Sequence, residues 1–396
     1  MNSKSNHKMG CPLSKPKSSL NQSLRNDDAK PAAVTKPNEG EVKPSETVQN
    51  EPLPAPVEEK PVPEPVVTKK IEVVSNDTSA FGLLLCGAGE SGKTTFTRQL
   101  RIRYLNGFKD DELSGFVSTI RGNLVESMQL MLIWLERNNI EFNEDLESEI
   151  NEIMGLTPMS CEFTDDIFDN LRSLWQDSKI QLAYSKKDET AIPDHIDYFF
   201  NKIDEIAQED YIPSVEDVLR ARIRTIGIDK ITFKMENAPI RLYDVGGQKS
   251  ERNKWDEVIN DIRGVVFCVS FADFDKKMFE DESKLRINDA LEIFQLITHK
   301  PALQNAPFFL LCNKFDGFSE KVKNTDAFGE KFPDFNGNIH DPMECGKYLV
   351  DRFMAVAAPL TDDRPIMTYN LVALNCDDVV ETTTQLCKFI SEKYYA

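Results

Sequence analysis

The chain has 396 residues, 40% hydrophobic and 29% charged, enough for two domains and a tail. Its formal charge of −19 argues against nucleic acid and against unaided binding to anionic membrane. No apolar run long enough for a transmembrane helix occurs and the N-terminus is polar, so neither a membrane span nor a secretory signal is expected.

Residues 1–78 stand apart in composition. Eleven of the 21 prolines lie between Pro12 and Pro65, and no aromatic residue precedes Phe81. Such a segment cannot bury enough apolar surface to offset its chain entropy, so a disordered or partly polyproline-like tail is expected. Within it, Met9-Gly10-Cys11-Pro12-Leu13-Ser14 fits M-G-x-x-x-S. As written Asn2 follows Met1, but translation from Met9 would let Gly10 carry myristate and Cys11 palmitate, giving two membrane anchors. The expected location is the cytoplasm, at the inner face of the plasma membrane if those anchors form.

The apolar stretch Phe81 to Cys86 reads as a buried strand, and it runs into Gly87-Ala88-Gly89-Glu90-Ser91-Gly92-Lys93-Thr94-Thr95. The spacing G-x-x-x-x-G-K-T lets backbone N–H groups wrap phosphates at a helix N-terminus; Lys93 supplies a cation and Thr94 a Mg²⁺ ligand. A helix is expected over 93–105, with Phe96, Leu100, Ile102 and Leu105 on one face.

The interval 95–243 is far longer than one crossover helix requires, so a folded insertion is expected. Apolar residues at helical spacing recur over 117–135, 167–182 and 195–206. Strands follow at 229–235 and 239–244, the second closing on Asp244-Val245-Gly246-Gly247. That string suits a carboxylate holding Mg²⁺ through water and a glycine N–H approaching the γ-phosphate. A helix over 249–262 and a strand over 264–271 come next. After a helix at 283–298 and a strand at 306–312 stands Asn313-Lys314-Phe315-Asp316. There Asp316 can accept both hydrogen bonds from the N1–H and amine of guanine, which adenine cannot offer. Helices at 343–356 and 378–393 flank a last strand at 368–374. Alternating strands and helices with ligand-binding strings at strand ends indicate an open, mostly parallel α/β sheet. The eight cysteines lack metal-ligand spacing, and Cys86, Cys268 and Cys312 sit inside apolar strand runs; they read as buried, reduced cytosolic thiols.

From Phe81 onward the chain resembles the α subunits of heterotrimeric G proteins. GAGESGKTT, DVLRARIRTIGI at 217–228, DVGGQKSERNKW at 244–255 and NKFD at 313–316 occur in family order. The resemblance implies a Ras-like GTPase domain with a six-stranded, mostly parallel sheet, formed by 79–108 and 217–396, interrupted by an all-helical domain at 109–216. It also implies site roles. Arg222 matches the catalytic arginine supplied in cis, Gln248 the water-orienting glutamine and Glu90 the loop residue that pairs with the arginine. Thr94 and Thr225 would ligate Mg²⁺ directly, and Asp244 through water. The nucleotide-binding set is Gly87, Glu90, Ser91, Gly92, Lys93, Thr94, Thr95, Asp177, Ser178, Leu219, Arg220, Thr225, Asp244, Gly247, Asn313, Lys314, Asp316 and Ala373. Trp175-Gln176-Asp177-Ser178 resembles the string over the nucleotide, and the Ala373 N–H would meet the guanine O6. Read without that resemblance, Arg222 is one basic residue beside Arg220 and Arg224, and Asp177 a helix-end carboxylate.

Several positions depart from the family pattern. Leu371-Val372-Ala373-Leu374 replaces T-C-A-T, and losing the first threonine is expected to loosen that loop and speed nucleotide release. Lys249 replaces an arginine, removing a planar bidentate donor, and Ile226 stands where many relatives have threonine at the surface of GTPase-accelerating regulators. Asp256-Glu257 follows Trp255 where βγ-binding relatives are more apolar, and the final helix ends about five residues short of the family's receptor-engaging tail. The family's amphipathic N-terminal helix is not recognisable. The expected function is a GTP-hydrolysing signalling switch with Mg²⁺ as cofactor, a downstream effector and an RGS-type regulator as partners, and weak coupling to βγ and receptors. The alternative is a nucleotide-bound adaptor with vestigial GTPase activity. A P-loop ATPase is opposed by Asp316.

Overall fold

The computed structural model describes residues 80–142, 144–187, 192–235, 238–278, 283–358 and 364–395. The proline-rich tail, with Gly10 and Cys11, lies outside them.

Six strands form one sheet: β1 (Phe81–Cys86), β2 (Ile228–Met235), β3 (Ala238–Val245), β4 (Gly264–Ser270), β5 (Phe308–Asn313) and β6 (Ile366–Asn370), in the order β2-β3-β1-β4-β5-β6. Only β2 is antiparallel to its neighbour. The continuous apolar sequences of β1, β4 and β5 are buried at every position, as strands covered on both faces must be. Side chains alternate between faces. Leu84, Cys86, Phe267 and Leu310 pack with α9 (Arg286–Thr298) and α12 (Pro342–Val356) through Phe294 and Phe353. Leu83, Leu85, Val266 and Leu311 face α1 (Lys93–Tyr104) and α13 (Cys376–Tyr394) through Phe96 and Leu386. The result is a three-layer α/β/α body.

Between α1 and β2 a second core forms among helices alone, from Phe116 to Ala221. Its axis is α2 (Asp110–Arg137), surrounded by α3 (Glu147–Gly155), α4 (Asp165–Gln176), α5 (Ser178–Ser185), α6 (Ile196–Asn201), α7 (Ile203–Ile206) and α8 (Val215–Arg220). Val218 and Ala221, beyond the expected boundary at 216, pack into this helical core.

Four segments differ from the sequence-based expectation, and in one of them the helix expected over 195–206 is divided into α6 and α7 at Lys202. The helix expected over 167–182 is two helices, because Asp177 turns extended (ψ 135°) and accepts the Lys179 and Ile180 N–H groups as the N-cap of α5. The segment 249–262 is 3₁₀ rather than α; Trp255 is the only buried side chain of Lys249–Glu257, so no apolar stripe drives a regular helix. The strand expected to 374 stops at Asn370, leaving Leu371–Leu374 as a loop before α13. Among the described residues four helices carry no matching sequence expectation: α3, α8, α10 (Phe315–Asn324) and α11 (Ala327–Lys331).

Candidate functional site

From β1 the chain continues to β2 and β3 on one side of the sheet, and from β3 it crosses to β4 on the other side of β1, so the direction of winding reverses beside β1. Ligands of open α/β sheets bind at such a point. The glycine loop lies there. Gly87 has φ 139°, and a Cβ on it would come 2.0 Å from the Cys268 carbonyl oxygen; Gly92 has φ 97°, and its Cβ would meet Asn313 Nδ2 at 2.0 Å. Glycine is therefore required at both positions. Glu90, at φ 61°, takes the left-handed conformation without being glycine.

Lys93 folds back over this loop, its Nζ donating to the carbonyls of Ala88 (2.6 Å) and Gly87 (3.2 Å) and to Ser91 Oγ (3.3 Å). Burial lowers its pKa, opposed by the Asp244 carboxylate. Gly247, two residues past the end of β3, closes over the same atoms: a Cβ there would lie 2.5 Å from Lys93 Nζ.

Thr94, in the first turn of α1, and Thr225, in the segment before β2, bring their hydroxyls to 2.7 Å. Asp244, near the C-terminal end of β3, is 2% exposed. One carboxylate oxygen accepts from Thr97 Oγ1 at 3.2 Å, and Oδ1 has no protein partner. Burial pushes this carboxyl up to about 7, against the pull of Lys93. Two adjacent hydroxyls, with a buried carboxylate hydrogen-bonded to Thr97 of the same helix as Thr94 and keeping one oxygen idle, offer oxygen donors of the kind that suit a small hard cation.

Arg222 follows α8, outside any helix or strand, and its guanidinium pairs with Glu90 of the glycine loop. The other Glu90 oxygen accepts from Arg286 at 2.8 Å. Gln248 begins the segment after Gly247 and lies beside Gly89. Trp255 is 1% exposed, its indole N–H donating to the Gly246 carbonyl at 2.9 Å.

Asn313 ties three segments together. Its Nδ2 donates to the Ser91 carbonyl (2.8 Å), and its Oδ1 accepts the Ala373 N–H (2.9 Å). The Ala373 N–H expected to face a guanine O6 is thus engaged within the protein. Nor is the loop loose. Leu371 is fully buried, Val372 N–H donates to Asp378, and Gln99 Nε2 donates to the Leu374 carbonyl. Apolar packing replaces what a threonine side chain would hold. Lys314, at φ 56°, starts α10, and Asp316 lies exposed in the first turn.

Together these groups border a cavity of about 770 Å³ between the sheet edge and the helical body. Its wall includes Glu90, Gly92, Lys93, Thr94, Thr95, Leu219, Arg220, Arg222, Thr225, Gly247, Gln248, Asn313, Lys314, Asp316 and Ala373. Gly87, Ser91 and Asp244 lie beneath that wall. Asp177 and Ser178 are not part of it, because the Asp177 carboxylate is used as a helix cap.

The sequence reading missed several participants. Asp194, in the loop before α6, sits between Lys314 (2.6 Å) and Lys276 (2.7 Å), and buried Asp273 contacts the same two ammonium groups. Burial alone would raise the Asp194 pKa, but the two lysines hold it well below the usual carboxylate range. His195 also borders the cavity. Asn123 of α2 hydrogen-bonds the Arg222 backbone. The one available signal was a polar residue inside the apolar face that runs through Phe116, Ile120, Leu124 and Met128. Asp194 and Lys276 offered none.

A family model of G-protein alpha subunits matches residues 63–390. The chain is similar to the guanine nucleotide-binding protein subunit alpha-1 of Trichomonas vaginalis, 60% identical over 328 residues that span 82% of each chain. It is also similar to the guanine nucleotide-binding protein alpha-9 subunit of Dictyostelium discoideum, 35% identical over 69% of this chain and 79% of the relative. A further relative is the guanine nucleotide-binding protein G(o) subunit alpha of Geodia cydonium, 33% identical over 69% of this chain and 77% of the relative. The chain therefore belongs to the G-protein α subunits, the guanine-nucleotide-binding GTPases of signal transduction.

Proposed function

We propose that GTP is hydrolysed in this cavity by Arg222 and Gln248 acting on a phosphate chain held by the glycine loop. Loop N–H groups and the N-terminus of α1 bind the phosphates, and Lys93 exchanges its loop carbonyls for phosphate oxygens. The Thr94 and Thr225 hydroxyls, with Asp244 acting through water, would hold Mg²⁺, which when bound neutralises charge on the phosphate oxygens. Gln248 orients the attacking water. Arg222 leaves Glu90 to meet charge developing on the transferred phosphoryl group. Glu90 thus holds the arginine within reach while keeping it off the phosphates in the ground state. Asp316 reads guanine.

The observation that carries this reading is the ion pair between Arg222 and Glu90, since it joins the segment after the helical body to the loop under the phosphates. Single-turnover hydrolysis of bound GTP tests it: the parent protein should release phosphate and Arg222→Cys should not, with both binding GTP. Equal rates would remove Arg222 from the mechanism. No observation favours the adaptor alternative.

The γ-phosphate orders the segments around Thr225 and Gly247, and hydrolysis releases them, altering the surface offered to an effector or an RGS-type regulator. Ile226 is 74% exposed on that surface. Asp256 and Glu257 are exposed, Asp256 pairing with Lys300, and this charge supports weak coupling to βγ, whose interface would need apolar surface there. A stoichiometric, GDP-dependent complex with a βγ dimer from the same cells would overturn that part. Among the described residues no helix is long and apolar enough to cross a membrane. Attachment to the cytosolic face would depend on acylation at Gly10 and Cys11, which intact-mass analysis of the native protein decides.

A further inference from the structure

We propose that Asn123 is a positioning residue for GTP hydrolysis, holding the backbone of Arg222 in register with the phosphate loop. Its Oδ1 accepts the Arg222 N–H at 2.8 Å and its Nδ2 donates to the Arg222 carbonyl at 3.1 Å. The amide therefore pairs with both polar groups of one residue, as a strand neighbour would. Residues 221–226 belong to no helix or strand, so no backbone ladder fixes them. An arginine finger has a long, flexible side chain, and its catalytic value depends on where its Cα is held.

The support is rigid. Asn123 lies within the 28-residue α2 and is 2% exposed, among Ile120, Leu124 and Val125, which are fully buried. An apolar residue would pack there without the cost of desolvating an amide. The preceding turn is held independently by Arg98 of α1, which is buried and donates to the Val218 and Ala221 carbonyls at 2.6 Å each. Arg222 is thus referenced to the helical body through Asn123 and to the helix of the phosphate loop through Arg98. In this geometry the helical insertion acts in catalysis by carrying the template that sets the arginine.

The inference rests on Arg222 being the catalytic arginine, and a double-mutant cycle on the full chain separates the two claims. Asn123→Ala should bind GDP and a GTP analogue like the parent, yet hydrolyse GTP more slowly in single turnover by roughly tenfold to a hundredfold, the scale of a misplaced catalytic group. Affinity for GDP with aluminium fluoride should fall by a similar factor. In an Arg222→Cys background the same substitution should change the rate less than about twofold, because no guanidinium remains to misplace. Thermal unfolding checks folding; should Asn123→Ala be unstable, Asn123→Ser, which keeps a hydroxyl and leaves less empty volume, carries the same comparison. An unchanged rate in Asn123→Ala, or an equal loss with and without Arg222, overturns the positioning role. Parent-like hydrolysis by Arg222→Cys alone would instead remove the catalytic assignment.

Discussion

Thr94 Oγ1 and Thr225 Oγ1 lie 2.7 Å apart, although one belongs to the first turn of α1 and the other to the segment that follows the helical body. If these hydroxyls hold Mg²⁺ as proposed, occupancy of that site would place a condition on the second segment. Thr225→Ala should raise the Mg²⁺ concentration needed for tight binding of a GTP analogue by roughly tenfold, the effect of one lost polar contact, with GDP affinity little changed. Mg²⁺ titration of analogue binding checks this; an unaltered requirement would take Thr225 out of the donor set.

Asp316 is exposed into the cavity at the start of α10. Asp316→Asn should weaken GTP by roughly tenfold to a hundredfold, as expected when a polar pair is mismatched, and should improve xanthosine triphosphate. Competition between the two nucleotides reads the switch. Equal affinity of the parent for ATP and GTP would refute the assignment.

Gln248 lies beside Gly89 without contributing to the packing of its own segment. Gln248→Leu should keep nucleotide affinity and lower hydrolysis by about a hundredfold, since its role is confined to the transition state. Loss of binding in proportion to turnover would point to a structural role.

The Asp194 carboxylate links the helical body to Lys314 and Lys276 of the sheet body. Asp194→Asn removes one of the two carboxylates, with Asp273, that compensate Lys276 and Lys314, and it is the one that belongs to the helical body, so the cavity should open more often and release fluorescent GDP several-fold faster. An unchanged release rate would show that nucleotide exit does not depend on this contact.

Asp217 is fully buried and accepts from Tyr198 Oη (2.7 Å), Lys202 Nζ (2.9 Å) and the Ser214 N–H (2.8 Å). Burial would raise its pKa, but these donors hold it below the ordinary value. An acid depressed in the folded state stabilises it above the unfolded pKa, near 4, and loses that contribution as pH falls through the folded value. Melting temperature should therefore drop on acidification below pH about 4. Asp217→Asn should cost roughly 1–3 kcal/mol at neutral pH and flatten that acid dependence. An equally steep acid limb in the variant would assign the effect to other carboxylates.

Much of the site is legible in the sequence because it is local. Gly87 and Gly92 are dictated by backbone conformation, Thr94 by its place one residue into α1, and Asp316 by the turn after β5. The strands are equally plain, since a strand buried on both faces is written as an unbroken apolar run such as Phe81 to Cys86. The helical insertion shows through its periodicity, though not its breaks at Asp177, where side-chain capping competes with continuation, and at Lys202.

What only the tertiary structure decided are relationships between distant residues. Asn123 and Arg222 are 99 positions apart, and Asp194 and Lys314 are 120 apart. Neither spacing carries a periodic or motif signal. The same holds for Asp244, whose idle oxygen and raised pKa come from burial beneath Lys93 rather than from the D-x-x-G string, and for Ala373, whose N–H is taken by Asn313. The sequence by itself determined which segments bear the glycine loop, the D-x-x-G string and the N-K-x-D string, because those patterns are written in neighbouring residues along the chain. Which residues of the helical body meet Arg222, Lys276 and Lys314 was decided by packing, because each such contact joins residues of elements far apart in the chain.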